Sequence, residues 1–102
     1  PMDVVDNRER SRFEIDLGDG AVAFADYKVL SNGAILFPHT VVPPAHEGKG
    51  VASALVRGAL ASAREQGLRV MPQCSFVASY MKRHPETHDL LDPAYAKLLG
   101  VA

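Results

Sequence analysis

The apolar residues of this chain change their period once, at Pro43-Pro44, and that change limits the folds open to it. Before the two prolines they alternate; after them they recur every third or fourth position. In FEIDL (13–17), Phe13, Ile15 and Leu17 share one face of a strand. Gly18-Asp19-Gly20 marks a tight turn, and AVAFADYKVL (21–30) returns as a second strand. Ser31-Asn32-Gly33 separates the next two apolar runs, and Asn-Gly accepts positive φ cheaply, so a hairpin is expected there. AILFPHTVV (34–42) reads as the third strand. Pro38 lacks an amide hydrogen and marks an edge, a bulge or a stop in pairing. The opening half is an antiparallel meander.

Past the prolines, Ala52, Leu55, Val56, Ala59, Leu60 and Ala63 form one stripe at helical spacing over about 50–66. Arg57, Arg64 and Glu65 fall off the stripe, and Gly67 is placed to end the helix. Gly58, weak inside a helix, allows close packing on the sheet. LRVMP (68–72) reads as a buried strand closed by Pro72. A strand, a crossover helix and a further strand place those two strands parallel and adjacent. SFVASYMKRH suits a short helix that stops before Pro85, and a last helix is expected from Pro93 to Gly100. The expected fold class is α+β, one domain over residues 1–102, with a mixed sheet of meander plus βαβ unit and C-terminal helices.

Composition removes several functions. Eleven basic residues against twelve acidic ones, at net charge -1, give no general field for nucleic acid. A single cysteine, Cys74, excludes an intrachain disulfide or a multi-thiolate metal site. The longest apolar runs fall well short of the ~20 residues that span a bilayer, so no membrane partner is expected. PMDVVDNRERSRF is too charged for a secretory signal, and Pro1 ahead of Met2 reads as an addition to the natural chain. The expectation is a small soluble protein of the cytoplasm.

The segment richest in chemistry is HTVVPPAHEGKGVASAL (39–55), a strand and loop that open directly onto a helix through Gly48-Lys49-Gly50. Glycines let backbone amides approach a ligand, and the first-turn amides of a helix have no partners inside it. With the helix dipole they favour an anion, and a phosphate or pyrophosphate is the natural guest. The spacing is neither a P-loop nor a dinucleotide fingerprint. On the motif alone, a structural helix-start loop is the better explanation of the two glycines.

Three side chains stand out as reactive candidates. Cys74, ahead of a helix, is either a stabilised thiolate nucleophile or an inert buried thiol. His39, on an apolar strand face, is either a base, or a group that orients Cys74, or a hydrogen-bonded core histidine. Tyr80 lies on the helix after Cys74 and reads first as a core tyrosine with its hydroxyl at the surface. In KRHPETHD, Pro85 breaks any regular helix through His84 and His88; a solvated loop is expected and no metal site.

HTVVPPAHEGKGVASAL followed by VMPQCSFVASYMKRHPE resembles the compact GNAT-like N-acetyltransferase family, over residues 13–90. His39-Thr40, Gly48-x-Gly50 and Pro72-x-Cys74-x-Phe76-Val77 carry the resemblance. It implies a minimal GNAT fold that binds acetyl-CoA, or a related acyl-CoA, and moves the acyl group to an amine acceptor. The loop amides of His46, Glu47, Gly48, Lys49, Gly50 and Val51, with Ala52 and Ser53 beyond, would hold the pyrophosphate of coenzyme A. The pantetheine arm would lie between splayed strands, one ending at Val41-Val42 and the other at Met71–Gln73. Cys74, His39 and Tyr80 then become catalytic candidates, Tyr80 as the acid for the leaving thiolate. Ala45 and Glu47 stand where the family usually carries Gln or Arg; Lys49, or more weakly Arg57, would compensate. The rival reading is a non-catalytic CoA-binding or protein-interaction module.

Overall fold

A computed structural model describes residues 2–102; Pro1, read above as an addition, lies outside them. In chain order the strands are β1 (Val5–Asn7), β2 (Arg12–Asp16), β3 (Val22–Asp26), β4 (Lys28–Val29), β5 (Ala34–Leu36), β6 (Thr40–Val41) and β7 (Arg69–Met71). Helix α1 (Val51–Glu65) separates β6 from β7; α2 (Ser75–Arg83) and α3 (Pro93–Leu98) follow. Short 3-10 turns cover Pro44–His46 and Pro85–Leu90.

The second and third expected strands each break in two. β1, β2, β3 and β6 form a four-stranded antiparallel sheet, whereas β4, β5 and β7 form a second, three-stranded sheet. The register explains the break. Ala25 faces Thr40 and Lys28 faces Leu36, so two residues on one strand oppose three on the other. The extra residue is a bulge at Phe37–His39, which bends the ribbon from one sheet into the next. Pro38 sits in its middle, the kind of place a residue without an amide hydrogen can occupy.

The crossover is parallel, as expected: β5 pairs with β7 through Ala34–Arg69, Ile35–Val70 and Leu36–Met71. It is the first half of the broken strand that makes this pair. The second half, β6, leads through the Pro44–His46 turn into α1 and pairs with β3 instead. Helix α1 buries Leu55, Val56, Ala59, Leu60 and Ala63 against Phe13 and Ile15 of β2 and Ala23 and Ala25 of β3. Each large aliphatic side chain so buried contributes roughly 1.5–3 kcal/mol. Val70, Val77, Met81, Leu90 and Leu91 extend the same core toward the C-terminus.

KRHPETHD is not a solvated loop. His84 Nδ1 lies 2.6 Å from the Tyr80 carbonyl, His88 Nε2 lies 2.8 Å from that of Met81, and Thr87 Oγ1 donates to the carbonyl of His84 at 2.7 Å. These contacts serve the orphan carbonyls at the end of α2, which sequence spacing does not reveal. The Arg64 guanidinium adds a two-pronged pair with Asp89, at 2.6 and 2.9 Å. Helix α3, capped by Asp92 on the Ala94 amide, stops at Leu98 rather than Gly100.

Strand β1 is not legible in the sequence because its residues carry no apolar alternation. Side chains fix it instead. The Tyr27 hydroxyl donates to Asp6 Oδ1 at 2.7 Å, and burial together with that carboxylate pushes the phenol pKa up to about 12. Asn7 Nδ2 donates to Glu14, itself paired with Arg12. Just before β1, Val4 lies over Gly58: a Cβ on that glycine would stand 2.7 Å from the Val4 Cβ. Gly58 therefore admits the N-terminal segment rather than the sheet. Gly58→Ala should lower stability by about 1 kcal/mol, because overpacking of about 1–3 kcal/mol exceeds the helix-propensity gain of roughly 1. Urea unfolding checks this. Adding Val4→Gly should remove most of the loss specific to Gly58→Ala; a stabilised single variant contradicts the packing account.

Candidate functional site

Where β6 diverges from the second sheet after the bulge, without pairing to it, a cleft of about 550 Å³ opens between that strand, the start of α1 and Phe76 of α2. Its walls include Thr40, Val41 and Val42 on one side and His46, Glu47, Gly48, Gly50, Val51, Ala52 and Ser53 on the other. Val41 keeps 42% of its surface exposed here, an apolar side chain presented to a cavity rather than to the core.

The loop that enters α1 owes its course to glycine. Gly48 and Gly50 take φ of 77° and 79°, in the left-handed region that residues with a Cβ rarely adopt. Gly50 caps the helix without any side-chain hydrogen bond, and the first amide to find a helical partner is that of Ala54, on the Gly50 carbonyl at 3.0 Å. The amides of Val51, Ala52 and Ser53 thus start the helix with no carbonyl one turn back inside it, at the positive end of the α1 dipole. The chain presents donors where an anion would gain most.

A side-chain contact pins this loop from outside. His46 Nε2 lies 2.7 Å from Asp19 Oδ2, while Asp19 Oδ1 accepts from the Ala21 amide at 3.0 Å. The His46 hydrogen bond, then the Ala21 amide, hold the Asp19 carboxyl below its usual range. Lys49 and Arg57, expected as phosphate partners, do not line the cleft. Lys49 is exposed on the loop, and Arg57 borders a separate hollow of about 230 Å³ between α1 and the Pro85–Leu90 turn.

Cys74 sits half-buried at the N-cap of α2, beside the cleft. Its amide donates to the Phe37 carbonyl at 2.8 Å and its carbonyl accepts from Ala78 at 3.0 Å. Its Sγ lies 3.5 Å from Thr40 Oγ1. Burial pushes the thiol up, but the Thr40 hydroxyl and the backbone amides of Val77 and Phe76 pull harder the other way, leaving it below its ordinary value. Met71–Gln73, expected as the opposite wall, are absent from the lining. Pairing carries them to the bulge, with Phe37 donating to the Met71 carbonyl at 3.1 Å, so Phe76 one step on forms the wall.

His39 is neither a core histidine nor a partner of Cys74. Its side chain is 72% exposed, with Nδ1 3.7 Å from Asp26 Oδ2. Successive strand residues point to opposite faces, and the neighbour that faces Cys74 is Thr40. Tyr80 is buried, stacked on His84 at 3.9 Å, and borders the second hollow rather than the cleft. It lies one helical turn beyond Phe76, roughly 6 Å further along the α2 axis. Thr40 and Phe76 both stand in the segments that carry the resemblance, but the sequence assigns neither a role; for Thr40, alternation away from His39 is a further signal. Among the described residues no group of three or more His, Cys, Asp or Glu side chains could hold a metal, and no helix is long and apolar enough to cross a membrane.

A sheet split at a bulge, with a glycine loop and helix N-terminus at the opening, is the architecture of a small acyltransferase domain. Residues 12–90 match the model of the GCN5-related N-acetyl-transferase family, and the chain belongs to that family. Its relatives include Protein NATD1 of Gallus gallus and of Mus musculus, each 31% identical over 88 residues, spanning 83% of this chain and 78% of theirs. Protein NATD1 of Homo sapiens is likewise 31% identical, over 76% of its length.

The Asp19–His46 contact makes a pH prediction. A carboxyl depressed in the folded state adds stability that is present above its unfolded value, roughly 3.9, and is lost as pH falls through the lower folded value. Denaturant midpoints measured from pH 5 down to pH 2 should fall less steeply for Asp19→Asn than for the parent chain. Equal slopes would mean that the contact adds nothing in solution.

Proposed function

We propose that this protein binds acetyl-CoA, or a related acyl-CoA, in the cleft between β6 and α1, and transfers the acyl group to an amine. The observation that carries the reading is the coincidence of free α1 amides, two left-handed glycines and exposed Val41 within one cavity. The donors suit a pyrophosphate, and the apolar wall with the unpaired flank of β6 suits an amide-bearing arm. Glu47 on the lining opposes an anion and argues for modest affinity.

The cofactor would supply a thioester, whose carbonyl carbon is the electrophile. In a direct route the acceptor nitrogen attacks that carbon, the carbon–sulfur bond breaks, and the nitrogen's proton ends on the departing sulfur. In a two-step route Cys74 Sγ attacks first, the carbon–sulfur bond breaks and the thiol proton ends on the departing sulfur. The amine then displaces the acyl group from Cys74, and its proton regenerates the thiol. The depressed Cys74 thiol and its place beside the cleft support a role in either route, as acyl carrier or as proton donor and acceptor. In both, amides near the carbonyl oxygen would stabilise its developing charge.

Native and denaturing intact-mass measurements after incubation with acetyl-CoA test this. A non-covalent complex in the native spectrum is expected. Gly50→Val, forced out of the left-handed region, should weaken it about tenfold, the equivalent of ~1.4 kcal/mol, while its thermal midpoint reports folding separately. An acetyl mass that survives denaturation and disappears in Cys74→Ser selects the two-step route. Binding without turnover on any amine would select the CoA-binding module, and no complex at millimolar ligand overturns the reading.

A further inference from the structure

We propose that Thr40 is the positioning residue for Cys74, holding its sulfur at the rim of the cleft and donating a hydrogen bond to its thiolate. The inference deepens the acyl-transfer reading and rests on it only for what the thiolate is used for. The backbone of Cys74 is fixed on both sides, by Phe37 and by Ala78, so only rotation about its Cα–Cβ bond can move the sulfur. Thr40, in β6, is fixed equally well, by its pairing with Ala25 of β3. The bulge sets which residue arrives. A register shift of one residue exchanges the faces of a strand, so without the extra residue at Phe37–His39 the bulky imidazole of His39 would stand where the Thr40 hydroxyl stands.

A hydroxyl suits both protonation states of its neighbour. It accepts from the Sγ–H of the thiol, and after ionisation it turns its own O–H toward the sulfur. Thr40 lines the cleft and its hydroxyl is 3.5 Å from the half-buried Cys74 sulfur, so the pair places that sulfur next to the cavity wall. The charged groups on the surrounding elements are otherwise engaged or distant in the chain. His39 in the bulge turns to Asp26, and His46 on the loop turns to Asp19. Glu47 lines the far wall, Lys49 is exposed, and Lys82, Arg83 and His84 lie at the other end of α2. The lowered Cys74 thiol agrees with this arrangement, Thr40 being the largest of its favourable contacts.

The rate of Cys74 alkylation by iodoacetamide, followed against pH in the absence of any acyl-CoA, tests the proposal. Because no cofactor is present, the result is independent of whether the cleft binds CoA. Thr40→Val should raise the midpoint of the rate profile by about one pH unit, a rate about tenfold lower below the midpoint. Thr40→Ser, which keeps the hydroxyl, should restore the parent profile to within about threefold. If Thr40→Val fails to fold, as judged by circular dichroism, Thr40→Ala takes its place and should show the same upward shift. An unmoved midpoint in the hydroxyl-free variant, or an equal shift in Thr40→Ser, overturns the proposal.

Discussion

The arrangement of this molecule depends on the missing amide hydrogen of Pro38. Its neighbours Phe37 and His39 still take part in sheet pairing, Phe37 toward β7 and His39 toward β3. Pro38 itself has no amide hydrogen to donate to a ladder. The chain passes from one sheet to the other there, and the two sheets separate beyond it. Continuous pairing of β6 with β7 would close the cleft. The bulge also sets the phase of β6, so that Thr40 rather than His39 meets Cys74. One residue type at one position thus governs both the opening of the cavity and the identity of a side chain within it.

The floor of the cavity has a separate origin. The left-handed backbone at Gly48 and Gly50 leaves the first amides of α1 bare, and no side chain caps them. Natural helices usually satisfy one such donor with Ser, Thr, Asp or Asn, a contact worth about 1 kcal/mol. Here that stabilisation is forgone at the helix whose buried face holds the two sheets together. The Asp19–His46 contact restrains the loop from its outer side, without filling the space in front of the amides. Stability at this end of α1 comes from Val51 and Leu55 in the core rather than from the cap.

Much of the fold was legible because burial imposes periodicity. The alternation of Phe13 and Ile15 located β2, the stripe from Ala52 to Ala63 located α1, and strand–helix–strand logic gave the parallel β5–β7 pair. Strand β1 escaped because Asp6 and Asn7 are fixed by hydrogen bonds to Tyr27 and Glu14 rather than by burial. Pro85–Leu90 escaped because His84 and His88 serve the carbonyls of α2, a use of histidine that no spacing rule identifies. At the site, the residues around Gly48-Lys49-Gly50 could be chosen because glycine at a helix start has few uses. The side chains could not. The outward turn of His39 and the inward turn of Thr40 follow from the bulge, and Tyr80 lies one turn too far along α2.

The central claim is that the opening between β6 and α1 receives an acyl-CoA through backbone amides. Amide resonances followed by two-dimensional NMR during titration with coenzyme A test it most directly. The account predicts shifts concentrated at Gly48 to Ser53, at Thr40 to Val42 and at Phe76, growing saturably with ligand. Saturable shifts confined to the hollow bordered by Arg57, Tyr80 and Glu86, or no saturable shift anywhere, would contradict it.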